Sequence, residues 1–146
     1  MARVSTYLNF PGNTEEAFLF YKSVFKTDFD GPLVRFGDGP PSPGQPALPP
    51  ELAKMILHVA LPILGGHVIM GTDSPDSMGA AFKLTAGNNV HLNLEPDTRA
   101  ETDRLYAALG AGGKQEQPPQ EMFWGAYWGT LTDRFGIHWM FNCMAK

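Results

Sequence analysis

The chain has 146 residues, enough for one ordinary domain with a real hydrophobic core. Its net charge of −4 and its 11 scattered basic residues exclude the clustered Lys and Arg on which nucleic-acid binding relies. The single cysteine, Cys143, excludes an internal disulfide framework and a multi-thiolate metal site. The N-terminus lacks the apolar run of a signal peptide, and no stretch approaches membrane-spanning length, so we expect a cytoplasmic protein without a membrane partner.

The first half of the chain has the pattern of a strand, a helix and three further strands. Asn13 and Glu16 form a candidate capping box before the helix. Residues 37–50 are rich in proline and predict a surface loop, which is either a plain linker or an active-site lid. The predicted elements are strand 4–10, a helix from 14 to about 26, a weaker strand 29–36, and strands 55–63 and 67–71.

The second half repeats this order after a connection at residues 73–87. Thr98 and Glu101 form a second candidate capping box, and residues 118–120 predict a polar loop. The predicted elements are strand 88–95, helix 98–109, and strands 114–117, 123–131 and 137–141. We therefore predict one α+β domain made of two βαβββ modules, residues 1–72 and 88–146.

A helix covers one face of each predicted sheet, and two such modules side by side enclose a concave interior where a small molecule can bind. Buried amides and imidazoles cost free energy unless they are hydrogen-bonded, so the residues facing this interior form either a satisfied polar network or a ligand-binding surface. Strand alternation assigns to this face Tyr7, Asn9, His58, Asn89, His91, Asn93, His138 and Asn142.

Four histidines on separate strands raise the question of a metal site near Glu121. They are His58, His67, His91 and His138. Histidines and a carboxylate from separate strands can form such a centre. No HxH or HxxxH spacing supports one, however, and His67 has the setting of a turn residue beside two glycines. We expect no metal and no other cofactor. Trp124 and Trp128 are either core or dimer-contact residues, or they stack on a flat ligand at the mouth of the cavity.

Three segments resemble the PhnB-like branch of the vicinal oxygen chelate superfamily. They are YLNFPGNTEEAFLFYKSVF, ILHVALPILGGHVIMGTD and FWGAYWGTLTDRFGIHWMFN, in this order. The superfamily includes glyoxalase I, bleomycin-resistance proteins and extradiol dioxygenases. The resemblance covers nearly the whole chain and implies paired βαβββ modules and a homodimer. Branch members often carry the label of demethylubiquinone methyltransferases, but this sequence has no glycine-rich nucleotide loop after a strand.

The resemblance also identifies where metal-dependent members carry their ligands. The matching positions here are Tyr7 or Asn9, Met70, Asn89 or His91, and Met140 or Asn142. Methionine and neutral amides are poor ligands for a hard divalent ion, so the sequence departs from the metal-binding pattern.

Two functions remain open. One is an enzyme acting on a small polar molecule by proton transfer, with His58 or His91 as the base and Glu121 as an acid or an orienting carboxylate. The other is a protein that sequesters a planar compound without chemistry. The candidate binding residues are Tyr7, Asn9, Asn89, Asn93, Trp124, Trp128 and Asn142.

Overall fold

A computed structural model describes residues 1–40, 43–44, 46–76 and 82–145. The chain forms two compact units, Met1–Leu84 and Thr85–Lys146. Their boundary falls inside the predicted connection 73–87, and parts of this connection and of the predicted loop 37–50 lie outside the described residues. Each described helix is too short or too polar to cross a membrane.

The first unit is a four-stranded sheet in the order β1-β4-β3-β2. Strand β1 pairs with β4 in parallel, and the other two pairings are antiparallel. Its elements are β1 (Thr6–Phe10), α1 (Thr14–Phe25), β2 (Val34–Arg35), α2 (Pro50–Ala53), β3 (Ile56–Pro62) and β4 (Val68–Asp73).

The second unit has the same topology, with the order β5-β8-β7-β6 and a parallel pair between β5 and β8. Its elements are β5 (Leu92–Leu94), α3 (Arg99–Gly110), β6 (Lys114–Glu121), β7 (Tyr127–Thr132) and β8 (His138–Cys143). The predicted α+β class and the βαβββ repeat are therefore confirmed.

In each unit one helix packs on one face of the sheet. Helix α1 lies so close to β4 that a β-carbon on Gly71 would overlap the Phe18 ring. In the second unit the Tyr106 ring packs against Phe141 at 5.5 Å between centroids, and its hydroxyl donates to the Thr130 carbonyl at 2.9 Å. Burial of this hydroxyl raises the pKa of Tyr106.

The N-terminus of α1 is capped by a residue distant in sequence. Asn13 makes no capping hydrogen bond with its side chain, so the predicted box with Glu16 is wrong. Asp73 instead accepts hydrogen bonds from the Thr14 amide and hydroxyl, at 3.0 and 2.6 Å, and from the Ile56 amide at 2.8 Å. One buried carboxylate thus ties the first turn of α1 to β3 and β4. At α3 the Thr98 half of the predicted capping box is present, because the Thr98 hydroxyl accepts from the Glu101 amide at 3.1 Å. The Glu101 carboxylate pairs with Arg104.

Four strands differ clearly in length from the prediction. Strand β7 begins only at Tyr127, because residues 123–125 of the predicted strand 123–131 form the turn before it. Only Val34–Arg35 of the predicted strand 29–36 has strand structure, and only Leu92–Leu94 of the predicted strand 88–95. Val90 is exposed, so its side chain gains no packing energy that would extend the strand. Strand β6, in contrast, continues through two prolines that predicted a loop. It is the outer strand of its sheet, where a missing N–H need not break the ladder, and its register shifts twice along these residues.

Replacing Asp73 by Asn should lower the free energy of unfolding by about 2–3 kcal/mol, because an NH₂ group then replaces one acceptor oxygen and faces a buried donor of Ile56 or Thr14. Urea denaturation at neutral pH measures this loss. Asp28→Asn is the control, since Asp28 is an exposed carboxylate 3.6 Å from Lys22 and should change stability by less than about 1 kcal/mol. Equal stability of the two variants would contradict the capping role.

The Glu15–Arg35 ion pair should make stability depend on pH. Arg35 donates to both carboxylate oxygens of Glu15, at 2.9 and 2.8 Å, and these hydrogen bonds lower the pKa of Glu15. A carboxylate with a depressed pKa contributes stability above its unfolded pKa of about 4.3 and loses it as pH falls through its folded value. Glu15→Gln should therefore destabilise the protein at pH 7 by less than about 1 kcal/mol, since the pair is half-exposed. The difference from wild type should shrink below about pH 4. A difference that stays constant through this range would argue against the ion pair.

Candidate functional site

The face of the second sheet away from α3 carries polar side chains from β7 and β8. Trp139 and Phe141 alternate into the core and are fully buried. The residues between and beyond them, His138, Met140 and Asn142, are half-buried on the other face. The alternation predicted for this strand is therefore present in the structure.

A groove of about 480 Å³ lies on this face, and all its lining residues belong to the second unit. We call it the His91–His138 groove. Its walls combine three flat rings, a thioether and several polar side chains: Asn88, His91, Glu116, Gln117, Trp128, Thr130, His138 and Met140. A concave site that combines flat rings with several polar groups can hold a small molecule.

The His138 ring is held by hydrogen bonds at both nitrogens. Nε2 lies 2.8 Å from the Gly87 carbonyl oxygen, and Nδ1 lies 2.8 Å from the Thr132 hydroxyl. A carbonyl can only accept, so Nε2 donates its proton to Gly87. The same hydroxyl lies 3.2 Å from a Glu116 carboxylate oxygen. Both ring nitrogens of His138 are thus already used within the protein.

His91 lies beside this anchored ring and has a different setting. Its ring centroid is 5.6 Å from that of His138, with the planes tilted by 52°. The side chain is exposed. Within the described part of the chain, neither of its nitrogens has a hydrogen-bond partner. A neutral imidazole in this setting offers an accessible lone pair to a molecule in the groove.

A row of aromatic rings leads from the turn between β6 and β7 into the groove. Phe123, which is 97% exposed, contacts Trp124 edge-to-face at 5.0 Å between centroids. Trp124 in turn contacts Trp128 at 6.4 Å. Of the two tryptophans predicted to stack on a ligand, Trp128 lines the groove and Trp124 lies behind it on the exposed turn.

The three predicted asparagines of this half have different positions. Asn93 is the register partner of Met140, and Asn142 is the partner of Trp128, so both share the face of the groove. Asn89 lies in a bend before β5, where its neighbour Asn88 lines the groove instead.

Glu121 is not near His91 in the groove but on the helix-covered side of the sheet. Its register partner is Tyr127, which in turn pairs with the buried Cys143. The carboxylate forms an ion pair with Arg99 at the start of α3, and the hydrogen bonds that Arg99 donates to Glu121 raise the pKa of Arg99. Cys143 itself is fully buried, as expected for a core residue.

The first unit has a groove of its own, of about 390 Å³, on the face away from α1. Tyr7 and Asn9 of β1 lie on this face, while Leu8 and Phe10 between and beyond them are buried. His58, half-buried on β3 opposite Val34, is not among the described lining residues. We call this the Tyr7–Phe36 groove, lined by Tyr7, Asn9, Phe36, Thr72, Asp73, Ser74, Pro75 and Phe82.

The residues at the superfamily's metal-ligand positions do not fit a hard divalent ion. In the first unit the positions are Tyr7 or Asn9 and Met70, with Tyr7 and Met70 as register partners. In the second they are Asn89 or His91, and Met140 or Asn142. Thioether sulfur and neutral amides are poor donors for such an ion. Among the described residues no three His, Cys, Asp or Glu side chains come together. The mechanism proposed below therefore uses no metal ion.

Several groove residues were missed by reasoning from the sequence. Glu116 and Gln117 lie on β6, whose charged and proline-containing sequence gives no alternation that would assign a face. Thr132, which does not line the groove but holds His138 there, precedes the turn Asp and looks like a turn residue, yet it pairs with His138. Alternation along residues 127–132 would have placed Thr132 on the same face as Trp128.

Comparison with known proteins identifies the family. The family model described as 3-demethylubiquinone-9 3-methyltransferase matches residues 2–141. The chain belongs to this PhnB-like family. The Escherichia coli protein YjdN is 30% identical to it over 98% of this chain and 96% of its own length.

Solved structures share the fold over the whole chain. Protein PA1353 from Pseudomonas aeruginosa is 30% identical with a TM-score of 0.82, and both chains are covered completely. A PhnB protein from Bacillus cereus is 24% identical with a TM-score of 0.71 over 97% of this chain and 99% of its own. A glyoxalase/bleomycin resistance protein/dioxygenase family enzyme from Burkholderia phytofirmans has a TM-score of 0.62 at 21% identity, covering 95% and 97% of the two chains. The fold is thus that of the glyoxalase and bleomycin-resistance proteins.

Proposed function

We propose that this PhnB-like protein is an enzyme that binds a small carbonyl compound in the His91–His138 groove and removes a proton from it with His91. The observation that carries the proposal is the contrast between the two imidazoles. His138 is anchored at both nitrogens by Gly87 and Thr132, whereas His91 is exposed beside it with both nitrogens unbonded among the described residues. A base must be able to reach its substrate, and only His91 meets this condition.

The step we propose balances within the groove. The neutral His91 ring takes the proton from a carbon next to the carbonyl group, and the electron pair of the C–H bond stays on the substrate as an enolate. The Asn88 and Gln117 amides, which line the groove, are the available N–H donors for the oxygen that becomes negative. The family description names methyl transfer, but the sequence has no glycine-rich nucleotide loop, so the proposal rests on the groove alone.

A second candidate is sequestration of a planar molecule without chemistry. The row of rings from Phe123 through Trp124 to Trp128 favours it, because an aromatic ligand gains stacking energy on such a row. The bleomycin-resistance relatives in the superfamily are the model for this function.

The two candidates are separated by measuring exchange and binding on the same variants. A panel of 2-oxoaldehydes, ketones, diols and epoxides is incubated with wild type in deuterated water, and proton NMR follows deuterium uptake or turnover. His91→Ala should slow the reaction at least about 100-fold, which is the usual rate acceleration by a general base. Quenching of Trp128 fluorescence by the ligand should persist in this variant. His58→Ala, in the other unit, is the matched control and should react like wild type.

Saturable quenching without exchange or turnover of any compound would establish sequestration instead. Trp128→Phe identifies the tryptophan that reports binding. A reaction that depends on His58 and not on His91 would overturn the assignment of the base, and the absence of both quenching and reaction would overturn both candidates.

We also propose that the protein is a cytoplasmic homodimer. The outer strands of both sheets and the exposed rings of Phe123 and Trp124 support association. Analytical ultracentrifugation at micromolar concentration should give twice the mass of 16.0 kDa. Phe123→Ser should weaken the dimer if this ring lies in the interface, and a monomeric mass for wild type would refute it.

A further inference from the structure

The Tyr7–Phe36 groove of the first unit presents an oriented amide that the proposed reaction does not use. Asn9 lies on β1 with its side chain on the face away from α1. The Ser74 hydroxyl donates to its Oδ1 at 3.2 Å, and the Ser74 amide is held in turn by the Phe10 carbonyl at 2.6 Å. Oδ1 is engaged by this donor, and none of the described residues accepts from the NH₂ group of Asn9, so that group is the part left for a ligand.

Two polar groups lie beside this amide, the Tyr7 hydroxyl, which can donate a hydrogen bond, and the Asp73 carboxylate, which already accepts several. The Tyr7 hydroxyl has no partner within the described part of the chain, and its side chain is half-exposed. Both Asp73 oxygens accept hydrogen bonds from Thr14 and Ile56. The groove therefore offers free donors from Asn9 and Tyr7, whereas its carboxylate is already satisfied.

The walls of the groove are flat and apolar. Tyr7, Phe36 and Phe82 contribute rings and Pro75 a buried apolar surface. Phe82 is 58% exposed, so a ligand that covered its ring would gain binding free energy by removing apolar surface from water. No Lys or Arg is among the described lining residues, and Asp73 adds a negative charge, so an anionic ligand would meet repulsion.

We propose that the Tyr7–Phe36 groove is a binding site for a flat, uncharged aromatic molecule that carries a ring carbonyl. The ring stacks between the aromatic walls, and the carbonyl oxygen accepts from the Asn9 amide and the Tyr7 hydroxyl. A volume of about 390 Å³ accommodates a bicyclic or tricyclic ring system. This site is argued from residues of the first unit alone and does not depend on His91.

The proposal is tested with matched fragments on the full chain. Coumarin and 1-indanone carry a ring carbonyl, whereas naphthalene and indane are similar ring systems without one. Amide-correlation NMR spectra of labelled protein should show that the carbonyl fragments shift the Asn9 side-chain signals and the Thr72 and Ser74 backbone signals. We expect them to bind about tenfold more tightly than the hydrocarbons, the usual worth of one good hydrogen bond.

Asn9→Asp is the decisive variant because its carboxylate can still accept from Ser74 while the N–H donors are lost. It should weaken coumarin binding at least about tenfold and leave naphthalene binding unchanged. Retained binding of coumarin by this variant, equal binding of the two fragment classes by wild type, or shifts confined to other residues would overturn the proposal. His91→Ala should leave these titrations unchanged, so that failure of this site and failure of the proposed reaction can be told apart.

Discussion

The structure depends on the fact that each four-stranded sheet packs against a single helix. In the first unit α1 approaches β4 so closely that only glycine fits at residue 71 opposite Phe18. In the second unit α3 places Tyr106 on Phe141. The core of each unit therefore lies on one face, and strand alternation places every second side chain on the other. The candidate sites exist because this second face has no helix of its own unit to cover it.

This constraint explains why polar and aromatic groups lie together on the uncovered faces. On β8 the buried Trp139 and Phe141 alternate with His138 and Met140, so the strand that builds the core also builds the groove. A histidine on a strand in the middle of a sheet can be anchored by the next strand, as His138 is by Thr132. His91 precedes the short edge strand β5, and within the described ranges no residue of the neighbouring strand β8 makes a hydrogen bond to its ring. The position of each histidine in the sheet thus explains why the His138 ring is hydrogen-bonded and the His91 ring is accessible.

Much of the fold was predictable because its signals are local. The alternation of residues 137–141 and the helical spacing after Thr14 are visible in the sequence, and the repeat of their order predicts both βαβββ units. The parts that were wrong depend on distant partners. Asn13 has the residue type of a cap, but Asp73, almost sixty residues later, occupies that role because β4 ends beside the first turn of α1. The prolines of β6 predict a loop, but an edge position tolerates them.

Where apolar and polar residues alternate, the sequence by itself determined which face each residue occupies, because side-chain direction repeats every two residues along a strand and needs no knowledge of the partner strand. Asn93, His138 and Asn142 were assigned to their face in this way. Only the tertiary structure decided which of these residues meet, because register and hydrogen bonding join segments far apart in the chain. It placed His91 beside His138, and it paired Glu121 with Arg99 on the helix side of the sheet. Alternation predicts a face, but contact depends on which strand lies next in the sheet.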